Sequence, residues 1–250
     1  MRQARKTGSS GGDAADRRRR GGLALLFLAA CAACAAPPGS PAPAALPLFP
    51  ADGAPVGFLV RHWADVKDAP ARETRWEVRD GVLLGGEPRG SWLLSEREYG
   101  DFRVEFEFRL GARGNSGLAL RTPLAGDPAF DAIEIQMADL RYNPEAKPSE
   151  LTGGIYRALA PSVQAYRPEQ WNRLMVTAIG PRLQVCLNGE LIQDVDLDHA
   201  TADVLRHDGR PAVPLAQRPR RGHLGFQELS RDGSRVEIRG ATVTPLDAPR

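Results

Sequence analysis

The sequence predicts an all-β protein, an antiparallel β-sandwich, and three observations carry that prediction. Apolar and polar residues alternate with a period of two in run after run: Phe102, Val104, Phe106 and Phe108 interleave with Arg103, Glu105, Glu107 and Arg109. Such a strand buries one face and solvates the other. Asn188-Gly189 and Asp80-Gly81 sit between apolar runs, where a two-residue hairpin turn needs positive φ at both central positions. Turn signals recur every ~8–12 residues, and past the leader no segment shows a helical period.

The elements follow in order. Arg75 to Val78 and Val82 to Leu84 pair around Asp80-Gly81, and Trp92 to Ser95 is a further strand ending at Tyr99-Gly100. The stretch Asp101 to Asp139 holds three alternating runs: the phenylalanine strand, Leu118 to Arg121, and Ile133 to Ala138. Neighbouring antiparallel strands would bring Arg121, Glu134 and Gln136 onto one polar face. Residues 141–150 are polar with two prolines and read as a surface loop. Gly153 to Arg157 reads as a glycine-opened strand, and Gln170 to Ala178 as a strand with a one-residue slip, hence a bulge, with Trp171 in the core. Leu183 to Leu187 and Glu190 to Val195 flank Asn188-Gly189, residues 198–222 form a long connection over one face, and Gly222 to Gln227 and Val236 to Val243 close the domain.

The first fifth of the 250 residues is of another kind. Basic residues at 2, 5, 6 and 17–20 precede a short apolar run, Leu23 to Cys34, which describes an export signal and is too short for a membrane span. Leu28-Ala29-Ala30-Cys31 matches the lipobox of bacterial lipoproteins, so residues 1–30 are expected as signal peptide and Cys31 as the lipidated residue. An ordinary secretory signal cut near Ala36 is the competing reading, and Arg17 to Arg20 leave twin-arginine export open. Residues 31–48 are a Pro/Ala-rich tether and 49–246 one folded domain. The expected location is the bacterial cell envelope, lipid-anchored, facing the periplasm or the surface.

Loss of residues 1–30 removes seven basic and two acidic residues, leaving 26 basic against 29 acidic. A mildly acidic mature chain excludes nucleic acid as a partner. Cys186, the one cysteine in the folded part, lies in an apolar strand pattern and reads as a small buried hydrophobe, with no disulfide framework.

Taken in order, Trp76, Asp80-Gly81-Val82-Leu83, Tyr99-Gly100-Asp101-Phe102, Asn115-Ser116-Gly117-Leu118, Arg121, Glu134-Ile135-Gln136, Thr152 to Tyr156, Glu169 to Asn172, Leu187-Asn188-Gly189 and Gly222 to Gln227 resemble the landmarks of the 3-keto-disaccharide hydrolase domain family. The resemblance covers about residues 49 to 246 and implies a concanavalin-like jelly-roll sandwich. It also implies an exported protein acting on glycosides oxidised at C3, by hydrolysis or elimination. Two positions depart from the family pattern. Phe49-Pro50-Ala51-Asp52-Gly53 stands where Phe-Asn-Gly-Lys-Asp-Leu is usual, and Gln227-Glu228-Leu229-Ser230 where Gln-Asp-His-Gly is frequent.

A C3 ketone acidifies the C2 hydrogen, so such a site needs a base, a group for the enolate oxygen and a proton for the leaving group. Glu134 is the candidate base or metal ligand and Arg121 the candidate electrophile. Gln136, Asn115 and Tyr156 are candidate sugar contacts, and Asp139 and Glu150 are further carboxylates nearby. A divalent metal would serve as an alternative electrophile; its ligands are not named by the sequence, since His62, His199, His207 and His223 are scattered without ligand spacing. The expected partner is an oligosaccharide or glycoside. A noncatalytic, lectin-like carbohydrate-binding lipoprotein and a purely structural envelope protein are the competing readings, because one sandwich fold serves several functions.

Overall fold

The structure is a computed structural model that describes residues 43–247. The expected signal segment and Cys31 lie outside the described residues. Thirteen strands form two sheets: β1 (Leu46–Pro47), β2 (Phe58–His62), β3 (Arg75–Arg79), β4 (Val82–Glu87), β5 (Ser91–Tyr99), β6 (Phe102–Leu110), β7 (Asn115–Thr122), β8 (Ile133–Ala138), β9 (Asn172–Ile179), β10 (Arg182–Leu187), β11 (Glu190–Asp196), β12 (Gly222–Glu228) and β13 (Val236–Pro245). The larger sheet runs β11-β10-β9-β6-β13-β4-β3, with β1 on β13; the smaller runs β2-β5-β12-β7-β8. Neighbours pair antiparallel throughout both sheets. One helical turn, α1 (Pro128–Asp131), enters between β7 and β8.

The alternation in the sequence explains why these sheets stack. Phe102, Val104, Phe106, Phe108 and Leu110 of β6 are all buried in the main core, opposite Leu118, Leu120, Ile133, Ile135, Met137, Leu224 and Phe226 of the smaller sheet. Phe106 meets Phe226 edge to face across the sandwich, centroids 5.2 Å apart. Each such ring contributes roughly 1.5–3 kcal/mol by burial, so this one row goes far to hold the sheets face to face. Both predicted hairpin turns form with positive φ at both central residues: Asp80 and Gly81, Asn188 and Gly189.

Several expectations change. Pairing begins at Leu46, inside the stretch read as tether, because Leu46 and Pro47 lie against Val243 and Thr242. The slip expected in the Gln170–Ala178 strand is absent from β9, which keeps unbroken register with both β6 and β10. The core phase is set by Asn172, Leu174, Val176 and Ala178, so Trp171 falls on the opposite face. There it lies between the guanidiniums of Arg109 and Arg239, 4.9 and 4.1 Å from its ring, instead of in the core. Cys186 is buried but disulfide-bonded, a correction to the reading as a lone hydrophobe; Cys31 and Cys34 lie outside the described residues.

The largest correction concerns Arg121. Opposite β12, His223 pairs with Thr122 and Gly225 with Ala119, so Leu120 and Arg121 together face Leu224 alone. This bulge, with Arg121 at φ 54°, breaks the period of two that had put Arg121 beside Glu134. The side chain turns to the sheet ends instead. Its Nε donates to the Gly100 carbonyl, Nη1 to the Gly180 carbonyl at 2.7 Å, and Nη2 to the Asp101 carboxylate. Arg121 therefore ties the β5–β6 turn to the β9–β10 turn.

Arg121→Met would remove the guanidinium donor from the Gly100 and Gly180 carbonyls and leave the Asp101 carboxylate only the Gly180 amide. It is expected to lower unfolding stability by about 2–4 kcal/mol, read as a drop in the urea midpoint at unchanged m-value; a change within experimental error would contradict this structural role.

Candidate functional site

The outer face of the smaller sheet carries a pocket of about 580 Å³. A narrower inner recess of about 30 Å³ continues from it. The two share Trp63, Asn115, Gln136, Tyr156, His207 and Leu229, and the inner one adds Glu134 and Asp127. A cavity of this size is ordinary for a small ligand.

The floor comes from β7 and β8. Ile133, Ile135 and Met137 enter the core, so Glu134 and Gln136 face the other way, as the alternation predicts. Glu134 is only 2% exposed. Its carboxyl occupies a notch that exists because β7 carries glycine at 117: a Cβ there would stand 1.9 Å from Glu134 Oε1. Gln136 Oε1 accepts from the Met137 amide. Asn115 has both backbone groups engaged, its amide donating to Ser230 Oγ and its carbonyl accepting from Leu229. Its side-chain Oδ1 is buried without a partner. An orphan acceptor in a pocket wall is costly unless a ligand supplies the donor.

The segment after the 141–150 loop forms the next wall. Gly153 to Arg157 was expected as a strand; it is instead a loop that hydrogen-bonds β8 unevenly. Gly153 donates to the Gln136 carbonyl, Gln136 to Gly154, and Tyr156 to the Glu134 carbonyl. This lashing brings Tyr156 over the floor. Its ring packs edge-on to Phe130 of α1, and His207, from the long 198–222 connection, packs edge-on to the same Phe130 at 5.1 Å. Four expected site residues, Glu134, Gln136, Asn115 and Tyr156, are thus brought together, and Arg121 is not among them.

Asp139 and Glu150 also line the pocket, but each is already paired. Asp139 accepts from Arg141 and from the Tyr166 hydroxyl, and Glu150 from Arg157. Burial raises the Asp139 carboxyl, but those hydrogen bonds outweigh it and leave it below its ordinary value. Of the other histidines, His223 is buried with Nδ1 2.7 Å from the Ser95 carbonyl, and His199 is exposed beside Asp196.

The residue the sequence reading missed is Asp127. It caps α1, with Oδ1 accepting from the Ala129 amide at 3.0 Å, and it faces the inner recess. Asp followed by Pro at the first helical position is an N-cap signature, and that signal was present in Asp127-Pro128. Burial pushes its carboxyl up to about 7, with Asp131 adding to the shift. Burial also pushes Glu134 well above the ordinary range; Asp127 raises it further, and Arg218 pulls it back. Arg218 is buried behind the floor, donating to the carbonyls of Ala132 and Val213. Burial, then Arg157, lowers His207, and burial raises the Tyr156 hydroxyl. The same burial therefore favours the uncharged form of every one of these groups: the two carboxyls, the imidazole and the phenol. Among the described residues no group of three or more His, Cys, Asp or Glu side chains is gathered as a metal-ligand set.

The 3-keto-alpha-glucoside-1,2-lyase-like domain family matches residues 56–244. Two solved structures from Parabacteroides distasonis ATCC 8503, both assigned as glycosyl hydrolases, share the fold. One is 25% identical, with a TM-score of 0.59, covering 68% of this chain and 90% of its own. The other is 21% identical, also with a TM-score of 0.59, covering 78% and 91%. No curated protein matches the chain.

Gly117→Ala is expected to keep the sandwich but evict the Glu134 carboxyl toward solvent, at an overpacking cost of about 1–3 kcal/mol. Carboxyl titration followed by ¹³C NMR should then show Glu134 moving down toward an ordinary glutamate; an unchanged titration would contradict the notch.

Proposed function

The chain belongs to the 3-keto-alpha-glucoside-1,2-lyase-like domain family, a carbohydrate-active family, and on that premise we propose that it is an enzyme cleaving 3-keto-glycosides at C1. The observation that carries this reading is the pair of carboxyls, Glu134 buried and Asp127 half-buried, at the inner end of a pocket of substrate size. A carboxylate held where it seeks a proton is a strong base for a carbon acid.

In this reading the ionised Glu134 takes the C2 hydrogen, which the C3 ketone has acidified. The C–H electron pair passes into the C2–C3 bond and charge collects on the C3 oxygen. The enolate then reforms the ketone as C1=C2 forms and the C1–O bond breaks. The proton now on Glu134 goes to the departing oxygen, so the carboxylate is restored. Water adding at C1, with a proton returned to C2, completes hydrolysis; stopping before that step is elimination. The Tyr156 hydroxyl, kept un-ionised by burial, and the Gln136 amide are the donors for the developing oxyanion. Asn115 Oδ1, without a partner in the protein, accepts from a sugar hydroxyl. Arg121, engaged elsewhere, takes no part.

The chain is also proposed to be exported and held at the cell envelope by lipid on Cys31, with the residues up to Ala45 as the tether.

Glu134→Gln should abolish release of free sugar from a 3-keto-disaccharide, a loss of at least about 10³-fold, while binding by calorimetry persists. Wild-type binding without turnover would mark a lectin-like module and overturn the enzyme. The base must be ionised, so kcat/KM should rise with pH through the Glu134 ionisation. Asp127→Asn removes a negative neighbour and should shift that rising limb to lower pH.

For the anchor, Cys31→Ser should eliminate labelling of the expressed chain by radioactive palmitate and release it from the membrane fraction. Retained labelling would refute Cys31 as the lipidated residue.

A further inference from the structure

The mouth of the pocket carries charge that the cleavage chemistry at its floor does not use. Arg89, in the turn between β4 and β5, donates to the Tyr142 hydroxyl at 3.4 Å. Arg231, just past β12, lies with its guanidinium carbon 4.5 Å from the centre of the Tyr142 ring. Both side chains line the pocket and both residues are exposed. Among the described residues neither has a carboxylate partner. The third arginine of the lining, Arg157, is different, being held by Glu150 and by the Leu205 carbonyl.

The pocket's own carboxylates do not answer these two cations. Asp139 is taken up by Arg141 and Tyr166, and Glu150 by Arg157. Glu134 and Asp127 lie at the inner recess, which Arg89 and Arg231 do not line. The result is a polarised cavity with its unpaired positive charge at the entrance. Tyr142 steadies both guanidiniums through one hydroxyl contact and one ring face, so less side-chain freedom is lost when an anion arrives. Planar guanidiniums suit carboxylate, sulfate and phosphate oxygens alike.

We propose that Arg89 and Arg231 form an anion subsite at the pocket mouth, so that the preferred substrate is a glycoside whose leaving group bears a negatively charged oxyacid. This rests on the reading of Glu134 as the reacting end: with the sugar ring at the inner recess, the group on C1 points outward. The shared chemistry is an oxyanion, whether carboxylate, sulfate or phosphate.

The test uses the full chain carrying Glu134→Gln, so that substrates stay intact. Calorimetry compares aryl 3-keto-glucosides that differ only at the para position: carboxylate, sulfate or phosphate against the neutral carboxamide. The charged ligands should bind about ten-fold tighter at low salt, the order expected for two partly exposed charge-assisted contacts. That advantage should shrink near 0.5 M salt, where screening is strong. Adding Arg89→Gln and Arg231→Gln should bring the ratio close to one. Whichever anion gains most identifies the oxyacid. Equal affinity for charged and neutral ligands, no binding of either, or an advantage that survives the double substitution would overturn the subsite. Turnover of the carboxamide ligand by the wild-type chain is scored separately. Turnover without charge preference removes the subsite alone, and charge-selective binding without turnover removes the cleavage reading alone.

Discussion

Strand β8 has no exposed residue, and that double burial constrains the rest of the molecule. Its odd-numbered side chains, Ile133, Ile135 and Met137, enter the core between the sheets, while Glu134, Gln136 and Ala138 face a pocket roofed by later parts of the chain. A strand buried on both faces loses the solvent that would otherwise satisfy its polar side. The protein replaces that solvent piece by piece. The loop at 152–156 hydrogen-bonds the β8 backbone, and the glycine at 117 opens room for the Glu134 carboxyl. The site is a consequence of how β8 is covered.

The electrostatics follow from the same burial. A carboxyl at the surface would ionise and be solvated; Glu134 and Asp127, largely kept from water, both hold protons more tightly, Glu134 also against the charge of Asp127 and Asp127 against that of Asp131. This costs stability as pH rises. A carboxyl whose folded value exceeds its unfolded one is stabilising below the unfolded value and loses that contribution as pH climbs through the folded one, for Asp127 between about 4 and 7. The apolar burial elsewhere offsets that cost, above all in the aromatic row joining β6 to β12. The other two carboxylates of the pocket wall are paired, Asp139 with Arg141 and Glu150 with Arg157.

Much of the architecture was legible because it rests on local rules. The phenylalanines of β6 announce their buried face by alternation, and Asn188-Gly189 and Asp80-Gly81 announce their turns by the φ values they tolerate. Glu134 and Gln136 were legible as a shared face for the same reason, being two apart on one regular strand. Where regularity failed, so did the reading. A single extra residue opposite Leu224 turned Arg121 away from the face its sequence position suggested. In β9 the apparent slip was not a bulge: Trp171 lies just before the strand, on the face opposite Leu174. Tyr156 does line the pocket, but from a loop that borrows hydrogen bonds from β8 without forming the expected strand. Asp127 was overlooked although its capping signature was readable, because a one-turn helix leaves no periodic trace.

The sequence by itself determined the all-β class, the positions of most strands and turns, and the inward and outward faces of the central ones. These depend on side-chain alternation and on backbone preferences that each residue carries with it. Only the tertiary structure decided which polar residues meet. Whether Arg121 lies beside Glu134 depends on a bulge set by pairing between strands a hundred residues apart. Whether Asp127 and His207 enter the pocket depends on where a helical turn and a long connection come to rest. Those are long-range contacts, and no local pattern encodes the distance between two side chains that only folding brings together.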